Sequence, residues 1–450
     1  MSPEQSSLPR ESGGRIGPRA PRLAVLGPRP SARWATVAAA IVVSAAAAGC
    51  ATSPASTAVG ANHDNGAADL TSVQGQQATA ARESYTALGI SLAGGAGAAA
   101  VGSANAYAAD VTVTATGLTR LTYTSTGAGG GLDHPQGISA DNGTVYVSNT
   151  DASVVAAIAG TTTTAVTGLL TNTGETGDGG AATAAEVNHP TGSAEDAKGD
   201  IFIADTEDNV VREITPDGVI HRVAGTGREG SFLNPFSATG SELDQPQAVA
   251  VTPSGDLIIA DTGNNRVLVV TPSGRIGIVA GFGFAGYKGD GHLGALAELN
   301  QPSGVAVDGQ GDVYIADSSN NVIRRVDAKT GVITTVAGDY AADQASDGQG
   351  GYTGDGGPAT SAELQDPQGV AIDGAGDLFI ADTFNNAIRV VTPAGTISSL
   401  WSGQGTPYAV ATDPSASGTV YFADTSSSRI EAGTYTTTTT AATASPSASS

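Results

Sequence analysis

The sequence predicts an all-β protein in which six four-stranded antiparallel blades form a propeller, and three observations carry that prediction. One stretch, "QPSGVAVDGQGDVYIADSSNNVIRRV" at Gln301, recurs as "HPTGSAEDAKGDIFIADTEDNVVREI" at His189, "QPQAVAVTPSGDLIIADTGNNRVLVV" at Gln245 and "DPQGVAIDGAGDLFIADTFNNAIRVV" at Asp366. Weaker copies open at His134 and Thr406. The six repeat prolines, Pro135, Pro190, Pro246, Pro302, Pro367 and Pro407, stand 55, 56, 56, 65 and 40 residues apart, a period that belongs to propellers and solenoids. Composition agrees, because 62 glycines with 40% hydrophobic and only 14% charged residues describe a turn-rich β protein, not a helical bundle or a solvated disordered chain.

From the N-terminus, six arginines precede the apolar run "WATVAAAIVVSAAAAG", Trp34 to Gly49. The run is short for a membrane span of about 20 residues and ends in small residues, so residues 1–49 read as an export signal. "AAGC" at Ala47 to Cys50 resembles a bacterial lipobox, with Ala47 where that motif usually has Leu. Cys50 is the only cysteine. The resemblance implies lipidation of Cys50 and attachment to the cell membrane on its extracytoplasmic face, with plain secretion as the alternative. Residues 50–108, rich in Ala, Gly and Ser, read as a tether with one weak helical candidate at 70–92. Without residues 1–49, 14 basic and 41 acidic side chains remain, net −27. Such a surface repels nucleic acid and anionic lipid.

Residues 109–433 are expected to form the propeller. In the Asp366 copy, "GVAID" and "DLFIAD" are strands joined by the tight turn "DGAG"; "TFNN" turns the chain again, and "AIRVV" and "GTISSLW" complete the blade. The second strand is apolar without alternation ("IFIA", "LIIA", "VYIA", "LFIA"), so both of its faces must be covered, as in a sheet packed between two others. Ala204, Ala260, Ala316, Ala381 and Ala423 fit where adjoining blades leave little room. "GLTRLTYTSTG" at Gly117 parallels the outer-strand segments "GVIHRVAGTG" and "GVITTVAG" without a repeat before it, which suits a last blade assembled from both ends of the chain. Completion of that blade by "TYTTTT" alone stays open. Residues 434–450, Thr- and Ser-rich, read as a disordered tail.

The repeat closely resembles the NHL repeat, whose core reads P-x-G-V-A-V-D, G-x-L-Y-V-A-D and N-x-I, and the resemblance covers about residues 111 to 432. It implies a propeller, most often six-bladed, and the chain is similar to the extracellular sensor domains of certain bacterial receptor kinases.

Asp205, Asp261, Asp317, Asp382 and Asp424 end the second strands, and Asn209, Asn265, Asn321 and Asn386 follow in positions that tolerate left-handed geometry. A catalytic site is made once per molecule and a joint once per blade, so these are expected to be turn-capping joints. Arg212, Arg324 and Arg389 are expected to pair with acidic neighbours on the blade surfaces. Asp178, Asp290 and Asp355 lie in "TGDGGAATAAEV", "KGDGHLGALAEL" and "TGDGGPATSAEL", with Glu186, Glu242, Glu298 and Glu363 at one repeated position. Calcium needs six to eight oxygens and each loop offers few carboxylates, so a Gly-rich connection leading into one helical turn is expected and no cofactor is assigned, with calcium as the alternative if backbone carbonyls supply the missing oxygens.

His134 and His189 precede repeat prolines in adjacent blades, while His63, His221 and His292 sit elsewhere. In the related propeller lyase acting on peptidyl-α-hydroxyglycine, zinc-binding histidines follow the equivalent proline; here those positions are Gln136, Thr191, Gln247, Ser303, Gln368 and Tyr408. The sequence contains neither a G-x-S-x-G elbow nor a phosphate-gripping loop, and no thiol besides Cys50. No catalytic residue is assigned.

The same six positions begin the innermost strands and are expected to face the central channel, so they form the candidate ligand-binding ring. Two insertions, "REGSFLNPFSA" at Arg228 and "DYAADQASDGQGGY" at Asp339, add Phe232, Phe236, Tyr340 and Tyr352 as candidate protein contacts, or as aromatics folded back on the blades. The expected function is that of a lipid-anchored, non-catalytic binding or sensor scaffold for a protein, peptide or envelope glycan. A metal-dependent hydrolase, lactonase or lyase working in the channel is the alternative.

Overall fold

The computed structural model describes residues 111–121 and 131–439, with short gaps at 161, 169–173, 346–347, 349, 404 and 416–417. The expected signal segment, the tether, Cys50, His63 and the tail beyond 439 lie outside the described residues. Six four-stranded antiparallel sheets make the ring, and in the first five the strands follow chain order from inside to outside. In the fourth blade these are Pro302–Val307, Val313–Asp317, Val322–Val326 and Ile333–Ala337. Each inner strand packs against that of the next blade, and the last, Pro407–Thr412, packs against the first, Pro135–Asp141.

The sixth blade settles how the ring closes. Its order is Pro407–Thr412, Thr419–Asp424, Arg429–Thr439 and then Val111–Leu121, so the strand preceding the first repeat is the outer strand of the last blade. Leu121 faces Ile430 and Val111 faces Thr439 in an antiparallel register. The segment "TYTTTT" lengthens the third strand and leaves the fourth to the N-terminal segment. Covering that third strand removes an edge that would otherwise pair with another chain.

The second strands are the core, as their unbroken apolar pattern requires. Every residue of Ile201–Asp205, Leu257–Asp261 and Leu378–Asp382 is buried, and the alanines at 204, 260, 316, 381 and 423 have no exposed surface. The glycine of P-x-G has a packing reason at Gly304. A Cβ there would come within 2.6 Å of the Gln368 carbonyl oxygen on the next inner strand, so the channel wall closes only with a hydrogen at that place.

Polar joints repeat around the ring. Asp317 Oδ1 accepts the Asn300 backbone N–H at 2.7 Å, and Asp205, Asp261 and Asp382 do the same for Asn188, Asp244 and Gln365. Asn209, Asn265, Asn321 and Asn386 adopt φ of 51 to 54°, the left-handed geometry expected of them. Three of them also reach across to the next blade: Asn209, Asn265 and Asn321 Oδ1 accept the N–H of Gln245, Gln301 and Asp366 at 2.9, 2.9 and 2.7 Å. Hydroxyl clasps join the same pairs of blades and the first to the second: Thr206, Thr262, Ser318 and Thr150 donate to the carbonyls of Pro246, Pro302, Pro367 and Pro190. Thr425 donates to Pro135 at 2.7 Å across the closure.

The arginines correct one expectation. Arg212, Arg324 and Arg389 pair with acidic neighbours as foreseen, but they are fully buried and not on the blade surfaces. Arg324 spans from Asp290 in the Gly-rich connector, at 2.6 Å, to Asp317 at the end of the second strand, at 3.3 Å. Arg212 bridges Asp178 to Asp205 and Arg389 bridges Asp355 to Asp382 in the same way. Two opposite charges and backbone carbonyls make burial of a guanidinium tolerable. The third blade shows the rule by departing from it. Its connector lacks the Gly-Asp-Gly run, and the arginine moves two residues along the strand to Arg266, keeps Asp261 at 2.7 Å and donates to the carbonyls of Ser231 and Glu242.

Candidate functional site

Three features stand apart from the joinery: the channel, the histidines at one rim of the ring, and the connectors. The inner strands enclose a cavity of about 420 Å³, and Gln136, Thr191, Gln247, Ser303, Gln368 and Tyr408 all line it. Their side chains are not equivalent. Thr191 Oγ donates to the Gln247 carbonyl at 2.7 Å and Ser303 Oγ to the Gln368 carbonyl at 2.8 Å, so these two hydroxyls tie neighbouring inner strands together. Ser303 also hydrogen-bonds Ser318, and Thr191 bonds Thr206 at 2.6 Å.

Gln368, Tyr408 and Asp366 form a different group. Gln368 Nε2 donates to Asp366 Oδ1 at 2.7 Å. Burial, and after it the Asp366 charge, pushes the Tyr408 phenol up to about 12. Burial likewise raises the Asp366 carboxyl, against the pull of the Gln368 hydrogen bond. Gln247 Oε1 is buried without a hydrogen-bond partner. At the opposite end of the same cavity stand Asp141, Glu195 and Asp196. Burial raises the Glu195 carboxyl, the Tyr146 hydroxyl bonds to it, and the charges of Asp141 and Asp196 raise it further.

The rings of His134 and His189 are held by residues of their own blades, while their backbone N–H groups donate to Ser428 and Ser153 of the preceding blades. His134 Nδ1 lies 3.1 Å from Asp133 Oδ1 and 3.0 Å from Asp151 Oδ2, all three exposed. His189 Nδ1 lies 3.0 Å from Asn188 Oδ1 and 3.3 Å from Glu207 Oε2. The connector aspartates Asp178, Asp290 and Asp355 are the partners of the buried arginines.

The connectors separate the aromatic candidates. Phe232 and Phe236 are 61% and 76% exposed. Tyr340 instead stacks on Tyr287 with ring centroids 3.8 Å apart, and Tyr352 lies over Arg389 and bonds Ser399 at 2.6 Å. Sequence reasoning passed over Phe282 and Phe284, 44% and 66% exposed, although "GFGFAGY" at Gly281 alternates aromatics with glycines that bury nothing. Their rings are 5.1 Å apart.

Both groups border the turn 262–265 of the third blade. Asn264 Nδ2 donates to Gly230 O at 2.8 Å, and Gly283 lies close to the Asn264 carbonyl. Phe232, Phe282 and Phe284 thus belong to segments that meet at one turn. Two carboxylates adjoin them: Glu229 pairs in a bridge with Leu243, and its charge, second to burial, raises the neighbouring Asp244.

Comparisons with known proteins agree with the repeat. The family model described as the Teneurin NHL domain matches residues 148–281 and 282–348. NHL repeat-containing protein 2 of Gallus gallus is 39% identical over 133 residues, 29% of this chain and 18% of that protein. Teneurin-1 of Mus musculus is 29% identical over 236 residues, 48% of this chain and 8% of that protein. The chain therefore spans less than a fifth of the length of these relatives. Among solved structures, an auxiliary nutrient binding protein from Bacteroides thetaiotaomicron covers 74% of this chain and 79% of its own, at 13% identity and TM-score 0.49. A gluconolactonase from Xanthomonas campestris covers 68% and 87%, at 14% identity and TM-score 0.46. With six four-stranded blades built on the P-x-G, A-D and N-x-I core, residues 111–439 are an NHL-repeat β-propeller.

Proposed function

We propose that the chain is a binding scaffold that works outside the cytoplasm, tethered through a lipidated Cys50, and holds a protein partner against the connectors of its third blade. The observation that carries this reading is the placement of exposed apolar side chains. Phe232, Phe236, Phe282, Phe284 and Leu296 are all at least 40% exposed and lie in the segments that enter and leave the third blade. Phe384, 61% exposed, sits in a turn whose backbone bonds the segment joining the fourth blade to the fifth. Aromatics on rigid supports bury much area at low entropic cost and are enriched in protein interfaces. Glu229 and Asp244 beside the cluster, and a formal net charge of −23, favour a partner that presents basic residues around apolar anchors.

A photo-crosslinking amino acid at position 284, in the full chain and in intact cells, tests this. The expected result is an adduct with a discrete protein at 284 and none when the probe is at Lys329, an exposed turn residue of the fourth blade. Equal adducts at both positions, none at either, or an adduct with glycan alone would overturn it.

A further inference from the structure

Five of the six interfaces between blades hold an aromatic ring at one place. Three residues before the end of the second strand stand Tyr146, Phe202, Tyr314, Phe379 and Tyr421 in the first, second, fourth, fifth and sixth blades. Each belongs to an apolar cluster shared with the following blade: Phe202 with Leu257 and Val270, for instance, and Tyr314 with Leu378 and Val391. The third blade has Ile258 at this place, clustered with Val313 and Val326 of the fourth. A second reduction lies across the same row. Ile258 pairs with Val269 and Val269 with Gly277, and paired residues share a face of the sheet. The first, second, fourth and fifth blades end that row in Thr164, His221, Thr334 and Ser398.

Where the ring is missing there is a cavity of about 310 Å³, lined by Ile258, Val269 and Val279 of the third blade and by Val313 and Val326 of the fourth. The corresponding cleft between the fourth and fifth blades is polar, because Tyr314 and Arg325 stand in place of Ile258 and Val269 and Arg325 pairs with Asp312. The apolar character therefore belongs to one interface. Among the described residues lining the cavity none is Lys, Arg or His, so an anion finds no counter-charge there. Its two carboxylates, Asp256 and Asp327, already accept from Ser254 and Thr330 of their own turns and require no further donor. A neutral ring is what the fold itself puts at the equivalent place in five interfaces. A dry apolar cavity of about 150 Å³ takes one benzene, so about 310 Å³ has room for two fused rings.

We propose that the cavity between the third and fourth blades is a binding site for a neutral fused bicyclic aromatic molecule, whose rings lie where the other interfaces carry Tyr or Phe. The cavity borders the turns 252–256 and 327–331, at the ends of the strands away from the connectors. It is therefore separate from the protein contact proposed above and does not depend on it.

Isothermal titration of the full chain with 2-naphthol, the anionic naphthalene-2-sulfonate and the non-aromatic 2-decalol tests the proposal. 2-Naphthol is expected to bind one per chain, and the other two at least tenfold more weakly. Ile258→Phe gives the third blade the residue type of its neighbours and should weaken 2-naphthol at least tenfold, whereas Ile258→Val should bind it as the native chain does; thermal unfolding checks both variants. In the native chain, ring-current shifts of the Val313 and Val326 methyl groups in the NMR spectrum should locate the ligand without any substitution. Four outcomes would overturn the proposal: no 2-naphthol binding, sulfonate or decalol binding as tightly, undiminished binding by a folded Ile258→Phe, or binding that leaves both sets of methyl signals unmoved. None of these bears on crosslinking at position 284, so the two readings fail independently.

Discussion

Arg324 and Asp290 are joined at 2.6 Å between a guanidinium with no exposed surface and a carboxylate in the loop that leads into the same blade. The Nη1 of that guanidinium donates to Asp317, which in turn holds the backbone of Asn300. A residue of the third strand therefore fixes the connector, the strand end and the entry to the blade at once.

Breaking this pin is expected to be costly. Arg324→Met leaves Asp317 buried without its cation, and removal of one partner of a buried pair typically costs about 3–5 kcal/mol. Equilibrium unfolding in urea checks it, and a loss below about 1 kcal/mol would show that the arginine is incidental.

Asp317 also sets a pH dependence. Burial holds its carboxyl up at about 6, against the Asn300, Asn320 and Arg324 bonds that pull it down. The folded chain then binds this proton more tightly than the unfolded one, whose aspartate titrates near 3.9. The contribution is fully present below about pH 4 and is lost as pH rises through about 6. Stability measured from pH 4 to 7 should therefore fall more steeply for the native chain than for Asp317→Asn. An equal slope, or a steeper fall in the variant, would contradict the assignment.

Closure of the ring gives a third expectation. Removing residues 1–121 takes away the outer strand of the sixth blade and bares Arg429–Thr439 as an edge. Exposed edges pair with other chains, so light scattering should show concentration-dependent association of the truncated protein, whereas removal of residues 1–108 should leave the same measurement unchanged.

The inner-strand glycines give a fourth. Gly304→Ala forces a Cβ to within 2.6 Å of the Gln368 carbonyl, while the same change at Gly309 meets nothing within 4 Å. Overpacking of this kind costs about 1–3 kcal/mol, so Gly304→Ala should lower the unfolding midpoint and Gly309→Ala should leave it in place.

The lipid tether is tested by fractionation. Cys50→Ala is expected to move the protein from the membrane to the soluble fraction, and retention on membranes would remove lipidation from the account.

Much of the architecture was legible because it is written once per blade. The turn residues Asp317, Asn320 and Asn321 and the small Ala316 recur with their spacing, and repetition separates a joint from a site. The burial of Arg324 was not legible, because its partner Asp290 is 34 residues away and only the packed connector excludes water from the pair. The channel ring was placed by its distance from the repeat proline. That Thr191 and Ser303 use their hydroxyls on the next strand depends on strand spacing, which no local pattern encodes. Phe282 and Phe284 were passed over for the opposite reason: they occur in one connector only, and an unrepeated feature offers no pattern to match.

The central claim is that the repeated residues hold the blades while the unrepeated aromatics serve contact. Equilibrium unfolding of Phe232→Ser/Phe284→Ser tests it most directly. Both side chains are more than 60% exposed, and exposed substitutions usually change stability by less than about 0.5 kcal/mol each. The account predicts a variant within about 1 kcal/mol of the native chain; a loss of 3 kcal/mol or more, on the order of a core truncation, would show that these aromatics belong to the fold.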